Sequence, residues 1–161
     1  MGIYLGPIQR VPPGALLEYP GNPRRGDVPA IAESLRVHGQ YKPIVVQEGT
    51  NHILVGNHTW KAAVSLGWPE IDVIFATVDD EAARKIVLAD NRLSDLASYS
   101  ADDLAALLSE LGGDYAGSGY SADDLARLVA PLPPGFAELD PDAEAEPKTV
   151  TCPACGHEFT P

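Results

Sequence analysis

Cysteine is nearly missing from this chain: there are two in 161 residues, both in one Cys-x-x-Cys. Such usage builds no disulfide framework, and the expected location is cytoplasmic. No apolar run approaches the roughly 18–20 residues that a membrane-spanning helix needs, so no membrane partner is expected. The opening residues lack a basic region followed by an apolar stretch, so no secretory signal is expected. Basic charge is scarce as well, with 11 Lys/Arg against 23 Asp/Glu and a net charge of −12. That balance excludes a general nucleic-acid coat, because neutralising phosphates takes a basic surface. No paired carboxylates stand at a convincing two-metal spacing, which argues against nuclease chemistry. No helix-turn-helix is legible either.

The acidity is uneven. Residues 1–99 hold 9 Lys/Arg and 11 Asp/Glu, whereas residues 100–161 hold 2 and 12. The first part therefore leaves room for a local cationic pocket drawn from Arg24, Arg25, Lys42, Lys61 and Arg92. The acidic end reads as a solvated spacer, as a mimic of nucleic acid, or as a surface for a protein partner. A chain of this length holds one domain with a real core plus small attachments.

Most of the chain is organised around residues 53–67. A β-branched run, Ile53 to Val55, meets Gly56 and passes at once into a helix-periodic segment. Trp60, Ala63, Val64 and Leu66 mark its apolar face, and Gly67 sits where a C-cap belongs. A strand turning through glycine into a helix presents free N–H groups at the positive end of the helix dipole, which suits an anion. Asn57, His58, Thr59 and Lys61 would line that turn. The same spacing fits a purely structural turn.

Before it, residues 3–19 predict a short strand, a turn at Pro12-Pro13-Gly14 and a lead-in. Residues 19–27 are a loop rich in Pro, Gly and Asn. Asp27 is placed to cap a helix over 28–37, which Gly39 stops. Strands are predicted at 43–47 and 52–55, joined by a hairpin turn at 48–51, and again at 71–78. Asp79 or Asp80 would cap a helix ending near Asp90, with Asp90-Asn91-Arg92 following it. Beyond that the chain repeats itself. Tyr99-Ser100-Ala101-Asp102-Asp103-Leu104 is echoed by Tyr120-Ser121-Ala122-Asp123-Asp124-Leu125, each copy carrying a Ser cap and an acid three residues on. The expected organisation is a domain at 1–98, a helical extension at 99–130, an acidic Pro/Ala linker at 131–150 and a terminal knuckle at 151–161.

The knuckle, Cys152-Pro153-Ala154-Cys155-Gly156-His157, resembles half of a zinc ribbon. Cys152 and Cys155 with His157 would supply three ligands, and a second copy of the chain could complete the set. A free dithiol is the alternative. Elsewhere, His58 is either a phosphate donor or acid/base group, or a helix cap packed on Trp60. Arg24 and Arg25 are either a phosphate clamp or a solvated pair. Arg92 is either a site cation or a favourable charge at a helix end.

The order of these signals resembles the ParB/sulfiredoxin superfamily over residues 5–130, in particular its small phage-type ParB-like ("ParB-like nuclease") members. The matching residues are Asn22-Pro23-Arg24-Arg25, then Gly39-Gln40-Tyr41-Lys42-Pro43-Ile44-Val45-Val46, Gly56-Asn57-His58-Thr59-Trp60-Lys61, and Asp90-Asn91-Arg92. The resemblance implies an α+β fold: a small mixed sheet with flanking helices, followed by a short helical segment. It also implies a nucleoside triphosphate site for CTP or ATP with Mg²⁺. Asn22, Arg24 and Arg25 would form its first element, and Gln40 and Pro43 its base side. Gly56, Asn57, His58, Thr59 and Lys61 would hold phosphates, and Asn91 with Arg92 would complete the site. His58, Asp90 and Asn91 are then the catalytic candidates for slow hydrolysis. Association with DNA and a homodimer are expected from the same resemblance. Two departures stand out. The family's Gly-Glu-Arg-Arg turn is Gly56-Asn57-His58-Thr59 here, which predicts weaker phosphate affinity or another ligand. Asn57 also replaces the catalytic Cys of sulfiredoxins, so peroxiredoxin repair is not expected. Two other readings stay open: a kinase of a small hydroxyl substrate or modified base, with Glu33 or Asp90 as base, and a non-catalytic adaptor.

Overall fold

The structure is a computed structural model that describes residues 3–130, 150–151 and 155–159. An eight-residue strand, β1 (Tyr4–Val11), leads through a single 3-10 turn at Pro13–Ala15 into the short β2 (Leu17–Glu18). Helix α1 (Val28–His38) follows, then the hairpin of β3 (Ile44–Gln47) and β4 (His52–Val55), which leads into α2 (Asn57–Ser65). Next come β5 (Ile71–Thr77), α3 (Asp80–Asp95), α4 (Ala101–Glu110) and α5 (Ala122–Val129). All of these lie in one compact unit, Met1–Ala130.

The five strands form one mixed sheet in the order β1-β5-β3-β4-β2. β5 runs parallel to β3 and antiparallel to β1, while β4 runs antiparallel to β3 and parallel to β2. The fold is thus the α+β mixed sheet that the sequence leads one to expect.

Strand alternation divides the core between the two faces of this sheet. Ile44, Val46, Ile53 and Val73 pack with Leu35 of α1 and Ala62 and Ala63 of α2. Leu54 and Ala76 face the other way, against Ala83 and Val87 of α3. Small residues on the helices let them approach the sheet closely. Burying this apolar surface, at about 25 cal/mol per Å², is the main stabilising term. The one buried amide in β3, Gln47, is satisfied throughout. It donates to the Val78 carbonyl and Asp80 Oδ1 and accepts from the Thr50 hydroxyl. This matters because an unpaired amide there would cost stability.

Capping follows the local chemistry. Asp27 accepts from the Ala30 N–H at 3.0 Å and Asp79 from the Ala82 N–H at 2.7 Å, fixing the starts of α1 and α3. Two expectations need correction. The N-terminal strand is not short: β1 has eight residues, along the edge of β5. And α3 does not stop near Asp90. It continues to Asp95, so Asp90, Asn91 and Arg92 are helical rather than a following segment. Nothing in 90–95 breaks a helix, and the backbone carbonyl of Arg92 accepts the Leu96 N–H as the last turn closes.

In the second unit, the described residues pair β6 (Val150–Thr151) with β7 (Glu158–Phe159) antiparallel. Cys152 and nearly all of the 131–150 linker lie outside the described residues. Cys155 and His157 are exposed, and no cluster of three or more His, Cys, Asp or Glu suited to a metal occurs among the described residues. No described helix is long and apolar enough to cross a membrane.

Candidate functional site

The turn between β4 and α2 depends on Gly56. Its backbone is left-handed, at φ 90 and ψ 26. A Cβ there would stand 2.5 Å from Ile44 Cγ2, inside the core. Only glycine serves both needs. As the helix N-cap, Gly56 has no side chain to satisfy the first turn, and the first intrahelical donor is the Trp60 N–H, bonded to the Gly56 carbonyl. The N–H groups of residues 57–59 have no acceptor among the described hydrogen bonds. They form a cluster of free donors at the positive end of α2.

A cavity of about 440 Å³ opens beside this turn. Gly56 and Thr59 form one wall, and Ala30, Ile31 and Ser34 of α1 form another. Gln40, Tyr41 and Lys42 border it, as do Asp90 and Ser94 of α3 and the loop 117–119 before α5. Asp90 and Ser94 are one helical turn apart, and the Ser94 hydroxyl donates to the Asp90 carbonyl at 2.9 Å. The lining therefore combines anion donors, one lysine, one carboxylate and an apolar floor.

The loop 22–26 is strapped across the neighbouring helix ends. Asn22 Oδ1 accepts from the Arg24 N–H and from Asn91 Nδ2, each at 3.2 Å. Arg24 Nη1 donates to the Asn91 carbonyl at 3.0 Å and to Asp95 Oδ1 at 2.8 Å. At the far end of the loop, His58 Nε2 accepts the Gly26 N–H at 2.9 Å. A Cβ on Gly26 would come within 2.7 Å of that ring, so Gly26 packs flat on the imidazole.

Of the residues singled out from sequence, Gln40, Lys42, Gly56, Thr59 and Asp90 line the cavity. The Gln40 amide is committed to structure. It donates to the Asp72 carbonyl at 2.8 Å and accepts the Asp72 N–H at 2.7 Å, fixing the 39–43 loop to β5. Asn57 is buried beneath the turn, accepting the Tyr19 N–H at 3.1 Å and donating to the Ile53 carbonyl at 3.0 Å. It holds β2 and β4 to α2, and only its backbone N–H is free. Asn22, Arg24, His58 and Asn91 build the strap. Lys61 pairs with Glu18 and is not part of the lining. Arg25 and Arg92 are exposed, and Pro43 precedes β3; none of the three reaches the cavity. Among the five candidate cations, Lys42 alone lines it. Ser34, Ser94 and the loop 117–119 also line it and are not among the site candidates drawn from sequence. Ala30, Ile31, Ser34 and Leu35 share one face of α1 by their three- and four-residue spacing, which is a signal that could have been used. The distant loop carries no local signal.

The class follows from comparison with known proteins. Residues 7–92 match the ParB N-terminal domain, and the chain belongs to that family. Among its relatives is a nucleoid occlusion protein of Geobacillus thermodenitrificans, 29% identical over 91 residues, covering 52% of this chain and 32% of the relative. Another is a probable chromosome 2-partitioning protein ParB of Deinococcus radiodurans, 35% identical over 63 residues, covering 38% of this chain and 22% of that one. The chain thus spans a third or less of the length of these curated relatives. The same fold is found in a C-terminally truncated chromosome-partitioning protein ParB from Caulobacter crescentus, solved as a complex with CTP-gamma-S. That likeness has a TM-score of 0.58 at 22% identity and covers 76% of this chain and 71% of that one. A Pnob8-like ParB-N domain gives 0.51 at 14% identity, over 71% of this chain and 51% of its own.

Proposed function

We propose that this chain is a nucleotide-binding ParB-type module of a phage-type, DNA-associated process, taking a nucleoside triphosphate, CTP or ATP, into the cavity beside Gly56. The observation that carries the reading is the meeting, in one cavity, of the free N–H end of α2 with Lys42 and Asp90. Phosphate oxygens accept from such an N-terminus, and the dipole favours their charge. Ala30, Ile31 and Ser34 give the sugar and base a mixed apolar and polar surface. The solved ParB neighbour that holds CTP-gamma-S supports the choice of ligand class.

The donor set fits Mg²⁺ that enters with the phosphates: one carboxylate, Asp90, beside the Thr59 and Ser94 hydroxyls, rather than an all-protein oxygen cage. The ion, when bound there, would neutralise phosphate charge. Asp90 is also the group placed to orient a water, so slow hydrolysis belongs to this reading. His58 acts as a strut, with Nε2 occupied by Gly26. Contact with DNA falls to a partner or to a paired copy of the chain, since a net charge of −12 suits few phosphate contacts.

Calorimetric titration of CTP, ATP and GTP with Mg²⁺ tests the reading. One nucleotide is expected to bind, and Lys42→Ala to weaken it about tenfold, or ~1.4 kcal/mol. Lys61→Ala is expected to change affinity much less. If no nucleotide binds even at millimolar concentration, the reading fails and a non-catalytic adaptor takes its place.

A further inference from the structure

Between the first half of α3 and the β3–β4 hairpin lies a second cavity, of about 570 Å³, bordered by the loop 19–23. Its size is that of a small-molecule site, and the function proposed above does not use it. The floor is apolar. Val87 belongs to the core cluster beneath α3, and Tyr19 packs against that cluster. The Tyr19 and His52 rings meet edge to face, with centroids 6.2 Å apart and planes at 71°. Leu88, 54% exposed, adds an apolar side chain to the lining.

The polar groups of the lining fall into two sets. Gln47, Thr50 and Asn22 are spent within the fold, on the bonds already described. Arg84, the His52 ring and the Tyr19 hydroxyl have no partner among the described hydrogen bonds and ion pairs, and none is sealed from solvent. Arg84 is the informative one. It follows Asp80 by four residues, a spacing at which an acid and an arginine on a helix ordinarily meet. The pair one residue on, Glu81 and Lys85, does meet, at 2.5 Å. Asp80 instead turns to Gln47 Nε2 at 3.0 Å, and Arg84 is left facing the cavity without a carboxylate.

We propose that this second cavity binds a small aromatic monocarboxylate, its carboxylate on Arg84 and its ring beside Tyr19, His52 and Leu88. The guanidinium fork matches a carboxylate with two parallel hydrogen bonds. Tyr19 and His52 add donors of their own. Asp80, one helical turn away, opposes a second negative charge, so a monoanion suits the site better than a phosphate dianion. Aromatic rings favour edge-to-face and offset contacts, and the Tyr19–His52 pair offers both to a third ring.

Titration of the full-length chain with naphthoate, followed by two-dimensional amide NMR without any nucleotide, tests this independently of the function proposed above. Saturable shifts are expected at residues 19–23, 50–52 and 84–88. Naphthamide, which keeps the ring and loses the charge, is expected to bind about tenfold more weakly, and so is naphthoate to Arg84→Gln. Arg84 makes no described bond within the fold, so an unaltered spectrum elsewhere is expected of that variant. Leu88→Ala, which trims the ring contact, is expected to weaken binding about threefold. Absence of saturable shifts at millimolar naphthoate, shifts centred elsewhere, or equal affinity in Arg84→Gln overturns the site. Tighter binding of naphthyl phosphate than of naphthoate overturns the choice of a monocarboxylate.

Discussion

Removing the Asn57 side chain would strip the Tyr19 N–H and the Ile53 carbonyl of the partners that hold β2 and β4 to the head of α2. Asn57 is only 4% exposed, so water does not replace those bonds. Asn57→Ala is therefore expected to destabilise the fold by about 2–4 kcal/mol, read from the urea midpoint. The neighbouring His58→Ala loses one acceptor for the Gly26 N–H, which is exposed, and is expected to cost about 1 kcal/mol. Similar losses for the two would mean that the buried bridge does not exist. This contrast explains what sequence could and could not show at these positions. Gly56 announces itself, because a strand running into a helix through glycine is a local event. The work of Asn57 is set by Tyr19, 38 positions away, and that of His58 by Gly26, 32 positions away. No spacing near residue 57 encodes those partners. Lys61 is a like case: its helical position suggests the turn, while its partner Glu18 comes from β2.

Elements, by contrast, were largely legible, because each is fixed by neighbours a few residues away. The caps at Asp27, Asp79, Ser100 and Ser121 all fall where the sequence puts them. The end of α3 was missed for want of a stop signal: Asn91 looks like a boundary, yet its side chain is drawn to Asn22 instead of capping the helix. The start of α5 is the most complete of the caps. Ser121 Oγ accepts the Asp124 N–H, and Asp124 Oδ2 accepts the Ser121 N–H at 2.8 Å. Hydrogen bonding from the Ser121 side chain, with further help from Arg127, holds the Asp124 carboxyl below its ordinary range. A depressed carboxyl stabilises the fold above its unfolded pKa of about 3.9, and that contribution is lost as pH falls through the lower folded value. Amide protection over residues 121–125, after the intrinsic pH dependence of exchange is divided out, is thus expected to fall below about pH 4, and Asp124→Asn to abolish that fall. An unchanged acid profile in the variant would remove Asp124 from the account. At the head of the preceding helix, Tyr99 and Tyr120 occupy equivalent places in the two copies, and hydrogen bonding with Tyr99 raises the Tyr120 phenol above its usual value. The repeat visible in the sequence thus closes on itself in space.

At the scale of the whole molecule, charge and topology divide the labour. The sheet carries helices on both faces, and the cavity beside Gly56 is lined by one face of α1, the start of α2 and the last turns of α3, with the loop before α5 reaching back to it at Gly117. That long-range closure is what sequence hid: the cavity's last wall lies 61 positions beyond Gly56, and only the fold brings the two together. The charge pattern adds a constraint that the family relationship does not remove. Arg24 is drawn into a pair with Asp95, Lys61 with Glu18 and Arg10 with Asp72, so several of the few cations are already neutralised within the fold. Phosphate contacts made by the remaining scattered cations would release few counterions, and duplex affinity depends steeply on that release. By fluorescence anisotropy at about 150 mM salt, this chain alone is expected to bind random duplex DNA no more tightly than about 100 µM, with a shallow salt slope, with or without CTP and Mg²⁺. Micromolar binding that falls steeply with salt would instead locate a basic stripe on this chain and make it a direct DNA reader, with no need for a partner to make the contact.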